Sequence, residues 1–397
     1  MAYDPRRDDP RRVRQSGARN PRDDGRRRED ARRREEARRR EEARRRKARK
    51  KKRKIILLII EIIVLIGLAG GAWMITRGTT SIQKININED DIVINETVAQ
   101  NESLKGYRNI ALFGVDARNK SLGKGNRSDT IIIASINEDT GDVRLCSVFR
   151  DTYLNLGNDT YNKCNAAYAK GGPEQAINML NMNLDLNITD YVTVGFSGLA
   201  EVIDALGGVT IDVKENEIVH LNNYQISMVG KSDDEENFYA TEGKDYIAVK
   251  NAGEQKLNGL QATAYCRIRY VGDDFQRAER QRTVIAKCLE IAKKSNPKEL
   301  ASAYNSVTSY ISTSLDSSEI IELLGDVAKY NIVASDGFPF ETNRATGKVG
   351  SKGSCVIPVN LEQNVVLLQE FLFDNKDYVP SEQVKKYSEK VSSDTGH

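Results

Sequence analysis

The chain has 397 residues, enough for one large domain or two ordinary ones. Its 60 Lys and Arg nearly cancel its 57 Asp and Glu, yet residues 1–54 hold 26 basic against 11 acidic side chains and leave 34 against 46 for the rest. The net +3 therefore hides a basic head on an acidic body, and whole-chain charge neither demands nor excludes a nucleic-acid partner.

The head includes "ARRREEARRREEARRRKARKKKRK", whose six-residue period sets Glu35 and Glu36 four residues before Arg39 and Arg40, as suits a solvated helix. Its first thirty residues are polar enough to stay disordered. No aromatic residues interleave the cations, so nucleic acid is not expected, and contact with anionic lipid explains the charge more simply. Residues 55–76, "IILLIIEIIVLIGLAGGAWMIT", carry one charge, Glu61. At 1.5 Å per residue such a run spans about 33 Å, the thickness of a bilayer core. A buried soluble helix and a cleaved signal peptide are the alternatives; the run is long for the first and lacks a small-x-small site for the second. With Lys51–Lys54 abutting it, the reading is a single-pass anchor with its N-terminus in the cytoplasm and the larger part outside.

Residues 77–106 are polar and read as a stalk. Strands are predicted at 107–116, 129–137 and 142–149 from runs of β-branched residues, the last two joined by the turn-like "EDTG". A helix is predicted at 173–184, opened by Pro173, with Ile177, Leu180 and Leu184 on one face. "YVTVGF" predicts a strand, "SGLAEVIDALGG" a helix stopped by Gly207, and "VTIDV" another strand. Residues 214–260 are polar and irregular, an expected surface excursion. "ATAYCRIRY" (262–270) predicts a strand and 275–294 a long helix. Two helices are predicted at 298–313 and 317–330, then a strand-like "GSCVIPVN", a helix near 361–373 and a loose tail at 376–397. This alternation predicts an α/β fold with a mainly β central sheet and helices on both faces, preceded by a single transmembrane helix.

Alternate side chains of a strand share a face, so the predicted strand at 262–270 sets Arg267 and Arg269 side by side. Crowded guanidinium groups repel unless anions lie against them, and a solvated edge strand is the plainer alternative for these two residues alone. Asp274 opens the long helix, either as its cap or as a functional carboxylate. Arg277 and Gln281 share one face of that helix four residues apart, whereas Arg280 and Arg282 turn elsewhere, toward solvent. Upstream, Asp116 ends one strand and Asp129 begins the next; antiparallel pairing brings these carboxylates together, where a hard divalent cation would relieve their repulsion. Turn chemistry is the plainer alternative for either alone. Arg127, Arg150 and Lys163 fall near the same sheet edge. Such a set suits phosphoryl transfer: Mg²⁺ (or Mn²⁺) bridging a diphosphate, arginines neutralising the leaving phosphate, and Asp274 accepting a proton from an attacking hydroxyl. No Walker loop is present, so a nucleoside triphosphate is not indicated. The two histidines, His220 and His397, offer no Ser–His–Asp site, and five cysteines without C-x-x-C spacing offer no zinc site. Cys146 and Cys266, in strand-like runs, are expected in the core.

In order, "NIALFGVDAR", "RSDTIIIASIN", "VFRDTY", "KCNAAYAKGG", "DALGGVTIDV", "LNGLQATAYCRIRY" and "DDFQRAERQR" resemble the LytR–CpsA–Psr family of cell-wall enzymes. The resemblance covers residues 107–294, and it implies a catalytic domain there with a C-terminal portion, 295–375, packed on it. It implies transfer of an anionic glycopolymer, such as wall teichoic acid or capsule, from a polyprenyl diphosphate carrier to a peptidoglycan hydroxyl. Asp116 and Asp129 would hold Mg²⁺; Arg127, Arg150, Lys163, Arg267, Arg269, Arg277 and Gln281 would contact the diphosphate, and Asp274 would assist the acceptor. Catalysis would centre on Asp274, Arg277 and Arg150. An isoprenoid tunnel lined by Ile177, Leu180, Val194, Phe196 and Val202 is also implied, although ordinary core explains those residues equally well. Phe149 departs from the family, which usually has Pro before the Arg-Asp pair. A non-catalytic receptor or transcriptional attenuator for lipid-linked glycans, and a polyprenyl diphosphate hydrolase, are the alternatives.

Overall fold

A single turn, α1 (Glu96–Ala99), precedes three strands that pair antiparallel in succession: β1 (Tyr107–Val115), β2 (Ser128–Asn137) and β3 (Asp142–Val148). A small hairpin of β4 (Tyr153–Asn155) and β5 (Tyr161–Lys163) leads into helix α2 (Asn165–Leu184), and β6 (Asp190–Gly195) then lies parallel to β1. There follow α3 (Phe196–Ala205), β7 (Val209–Val213), α4 (Ile218–Val229), the short hairpin of β8 (Lys231–Ser232) and β9 (Phe238–Tyr239), β10 (Gly253–Leu257) and α5 (Gly259–Tyr265). Next come the long α6 (Asp274–Ala292), α7 (Pro297–Val307), β11 (Ile311–Thr313), α8 (Ser317–Gly325) and β12 (Asn331–Phe338). The chain closes with the hairpin of β13 (Arg344–Lys348) and β14 (Ser354–Pro358) and helices α9 (Leu361–Phe373) and α10 (Glu382–Thr395). This computed structural model describes residues 85, 87, 89–117, 121–232 and 238–397. The basic head, the apolar run at 55–76 and the first part of the expected stalk (77–84, with 86 and 88) lie outside them. No helix among the described residues is long and apolar enough to cross a membrane.

The central mixed sheet runs β11-β6-β1-β2-β3-β12. Strand alternation divides the isoleucines of β2 between two layers. Ile131 and Ile133 face the larger core with Ile177 of α2, Leu368 of α9 and Val384 of α10. Ile132 joins Ile110 and Leu145 on the other face, with Ile285 of α6 and Leu323 of α8 packed against them. Burying one such side chain is worth about 1.5–3 kcal/mol, so a one-residue slip that exchanged the two faces would forfeit several of these terms at once. Helices thus cover both faces, as the alternation predicts.

Several expectations change. Residues 259–265 are helix and not strand, because Asn258 and Gln261 form a reciprocal capping box at 2.9 Å each way ahead of an alanine-rich turn. The alternation survives in the turn beyond it as far as Arg269: Cys266 and Ile268 are buried in the core while Arg267 and Arg269 are half-open, and Tyr270 is 78% exposed. The 214–260 excursion is structured, contributing α4 and β10, which pairs with β7, and adding Leu221 and Leu257 to a second core with Val209 and Ile211. The tail is not loose. Ser381 donates its backbone N–H and hydroxyl to buried Asp185 at 2.8 and 2.7 Å, and α10 sinks Val384 and Val391 into the main core. The stalk's far end is also engaged, with Ile85, Ile87, Ile92 and Ile94 packed on that core. A parallel edge strand, β12, went unread because half of it alternates with exposed polar residues.

Phe149, the departure from the family pattern, is buried with its ring 4.5 Å from that of Phe275, edge to face. Gly337 lies directly against it, and a Cβ there would overlap the Phe149 ring. Gly337→Ala should therefore cost about 1–3 kcal/mol in denaturant unfolding. Phe149→Leu in the same background should recover part of it; equal stability of Gly337→Ala and wild type would show that the ring gives way freely.

Candidate functional site

Antiparallel pairing of β1 and β2 opposes Val115 to Ser128, with an irregularity after Gly114, and so delivers Asp116 and Asp129 to one end of the sheet. The β3–β4 loop brings Arg150 and Asp151 to that end, and β5 brings Lys163. The turn after α5 adds Arg267 and Arg269, and the first turns of α6 add Arg277 and Gln281. These residues, with Arg127, line one cavity of about 940 Å³. Nine of the ten candidate residues are in its wall. Asp274 stands just behind, holding three of the arginines.

The lining carries seven cations (Arg127, Arg150, Lys163, Arg267, Arg269, Arg277 and Lys352) against three carboxylates (Asp116, Asp129 and Asp151). The carboxylates interleave the cations. Asp129 accepts from Arg150 Nη1 at 2.6 Å, with Arg269 Nη2 3.8 Å from its other oxygen. Asp274 accepts from Arg277 at 3.0 Å and lies 3.7 Å from both Arg150 and Arg269. Asp151 pairs with Lys163 at 3.4 Å. Nε of Arg150, 3.7 Å from Asp274, and Nε of Arg277 are buried without a hydrogen-bond partner. An orphaned buried donor on a charged group is costly, and an anion in the cavity is the natural relief.

Titration points the same way. Burial pushes the Arg277 guanidinium down to about 10; Asp274 opposes the shift, while Arg269 and Arg150 add to it. Burial also lowers Arg267, against the pull of Asp116. At Arg150 burial is outweighed by Asp129, Asp274 and Asp151, and the pKa rises. Burial disfavours the charge on Arg277 and Arg267, and a bound anion would oppose that shift.

The structure also redistributes some roles. Asp273, not Asp274, caps α6, accepting from the N–H groups of Phe275 and Gln276 at 2.9 and 3.1 Å. Asp274 is thereby released to the arginines. Gln281 donates to the Cys266 carbonyl at 3.3 Å and so braces the turn. Arg280 and Arg282, expected in solvent, are buried, the latter on the Ser147 hydroxyl at 2.8 Å. Of the five residues of the expected isoprenoid tunnel, Ile177 and Leu180 are closed core, and Phe196 alone lines this cavity. There it stacks on Arg267, with Cζ 4.2 Å from the ring centroid. Sequence reading missed Tyr224, Ser351 and Lys352, which reach the cavity from the supposed excursion and from the C-terminal portion. Asp151 was missed too, though its place next to Arg150 was a usable signal. All five cysteines are free thiols, and four are buried.

The matching family model is the LytR_cpsA_psr family, over residues 73–363. Among curated relatives, the "Biofilm regulatory protein A" of Streptococcus mutans is 29% identical over 300 residues, 66% of this chain and 68% of its own length. The polyisoprenyl-teichoic acid–peptidoglycan teichoic acid transferase TagU of Bacillus subtilis is 30% identical over 250 residues, 60% of this chain and 70% of its own. Across the relatives, matched segments span 50% to 70% of the partner's own length. The crystal structure of Bacillus subtilis TagV superposes with a TM-score of 0.51 at 26% identity, covering 70% of this chain and 99% of that one. A family match across most of the chain, on a mixed sheet whose rim gathers the motif residues, shows that the protein belongs to the LytR_cpsA_psr family.

Proposed function

We propose that the chain is a phosphotransferase that moves an anionic glycopolymer from a polyprenyl diphosphate carrier to a peptidoglycan hydroxyl. One observation carries the reading: a cavity with seven cations against three carboxylates, two of whose arginines keep orphaned Nε donors. The activity for which the TagU and TagV relatives are named supports it. In the reaction the acceptor oxygen attacks the polymer-side phosphorus and the bond to the bridging oxygen breaks. Polymer phosphodiester and polyprenyl phosphate result. Arg150, Arg267, Arg269 and Arg277 would stabilise charge gathering on the leaving phosphate, and Arg127 and Lys163 would steer the diphosphate. Asp274 would take the acceptor proton, its position set by the three arginines around it.

Asp116 and Asp129 both line the cavity and offer the hard carboxylate oxygens that suit Mg²⁺, with Mn²⁺ as a second choice, and Asp129 would share its oxygens between the ion and Arg150. No group of three or more metal-ligating side chains occurs among the described residues, so substrate oxygens and water would complete the coordination. When bound, the ion would neutralise diphosphate charge. The head at 1–54, the anchor at 55–76 and the catalytic domain at 107–294 belong to this proposal; residues 295–375 share the domain's sheet through β11 and β12, and the described end of the 77–106 segment packs on its core. The location, a single pass through the cell membrane with the catalytic domain outside, belongs to the proposal as well.

The test is full-length protein in detergent with a polyprenyl diphosphate-linked glycan, Mg²⁺ and peptidoglycan fragments. Polyprenyl phosphate release that depends on the acceptor is expected. Release without acceptor would mark a hydrolase, and binding without release a receptor. Asp129→Ala should move the midpoint of the Mg²⁺ titration up about tenfold or more. An unchanged titration would remove the two-aspartate assignment.

A further inference from the structure

Residues 266–271 carry Arg267 and Arg269 into the cavity, yet they belong to no helix or strand. Guanidinium groups two residues apart repel, and an irregular turn would yield to that repulsion unless something held it. Arg280, buried on α6 and absent from the cavity wall, does so. Its Nη1 donates to the Ile268 carbonyl at 3.1 Å and its Nη2 to the Val271 carbonyl at 2.8 Å, so one side chain brackets the turn. Its Nε donates at 2.7 Å to Glu217, from the 214–260 segment. Both side chains are nearly closed to water, 8% and 6% exposed. The other oxygen of Glu217 accepts the Lys214 backbone N–H at 2.9 Å, fixing the carboxylate from its own side.

A buried ion pair is a weak stabiliser, because desolvation offsets its Coulombic gain. What this pair sets is geometry. Helix α4 begins immediately after Glu217 and carries Tyr224, whose ring centroid lies 5.4 Å from Arg267 Cζ. One segment thus grips the turn's backbone through Arg280 and one of its side chains directly.

We infer that Glu217 and Arg280 are positioning residues for the anion-binding turn, and that the 214–260 segment serves the site through them. The inference rests on the proposed function only for the nature of the anion. Full-length protein is titrated with inorganic pyrophosphate, and amide hydrogen exchange is followed in the same samples. Arg280→Lys keeps the charge but lacks a planar fork able to span two carbonyls and a carboxylate. Its Kd for pyrophosphate should rise about tenfold or more, as small misplacements of binding groups do. Exchange should quicken in peptides covering 266–271 and stay at the wild-type rate in β1, β2 and β3. Glu217→Gln, which keeps an acceptor for Lys214, should shift both readouts in the same direction by less. An unchanged Kd in both variants would overturn the inference, as would exchange that quickens equally throughout the sheet. Failure of the wild type to bind pyrophosphate would instead sink the anion-site reading, and the exchange pattern would still decide the positioning role.

Discussion

Arg267→Ala and Arg269→Ala are each expected to lower turnover by about 10²–10³, the usual consequence of removing one donor from a developing oxyanion. The two should differ in stability. Arg269 is 40% exposed at its side chain and makes only long contacts, 3.8 Å to Asp129 and 3.7 Å to Asp274, so its loss should leave the melting temperature within a degree or two. Arg267 lies over Phe196 and Tyr224, and losing those stacked faces should cost about 0.5–2 kcal/mol. Acceptor-dependent release of polyprenyl phosphate and a thermal melt measure the two effects separately. Wild-type turnover in either variant would mean that the cavity's cations do not meet the reacting phosphate.

Asp274→Asn separates two roles that the geometry combines. Its carboxylate touches Arg277 and approaches Arg150 and Arg269, so it holds the arginines in place and could also take the acceptor's proton. Asparagine keeps the shape and an acceptor oxygen but removes the charge. As a general base, Asp274 should cost about 10²–10⁴ in kcat when replaced. Pyrophosphate binding should tighten by a small factor, because one negative charge leaves an anion site. Weakened pyrophosphate binding in a folded variant would assign the residue to holding arginines. Undiminished kcat would remove it from proton transfer.

Much of the site was legible because its members travel in short motifs. Asp116 and Asp129 end and begin adjacent strands, and antiparallel pairing of those strands brings them to the same end of the sheet. Arg277 and Gln281 share a face through helical spacing alone. Arg267 and Arg269 were placed correctly on the cavity side for a mistaken reason, since a turn with alternating burial mimics a strand over three residues. The helix before that turn was hidden by β-favouring residues at 265–270, while its cap, Asn258 with Gln261, lay several residues upstream. Arg280 and Arg282 were misread because an arginine on a long helix is solvated by default, and only a carboxylate or hydroxyl brought from far away makes burial affordable.

By itself the sequence determined what depends on near neighbours: the strand and helix periods, the pairing of β1 with β2 and the gathering of charge around 264–282. Only the tertiary structure decided which distant segments complete the site. Tyr224 and Glu217 come from a polar stretch that resembled decoration, and Lys352 from a turn after β13 with no motif of its own. Their convergence is set by how α4, α6 and β14 pack against the rest of the domain. Packing of that kind is a property of buried surfaces more than a hundred residues apart in several cases, and no local pattern of side chains encodes it.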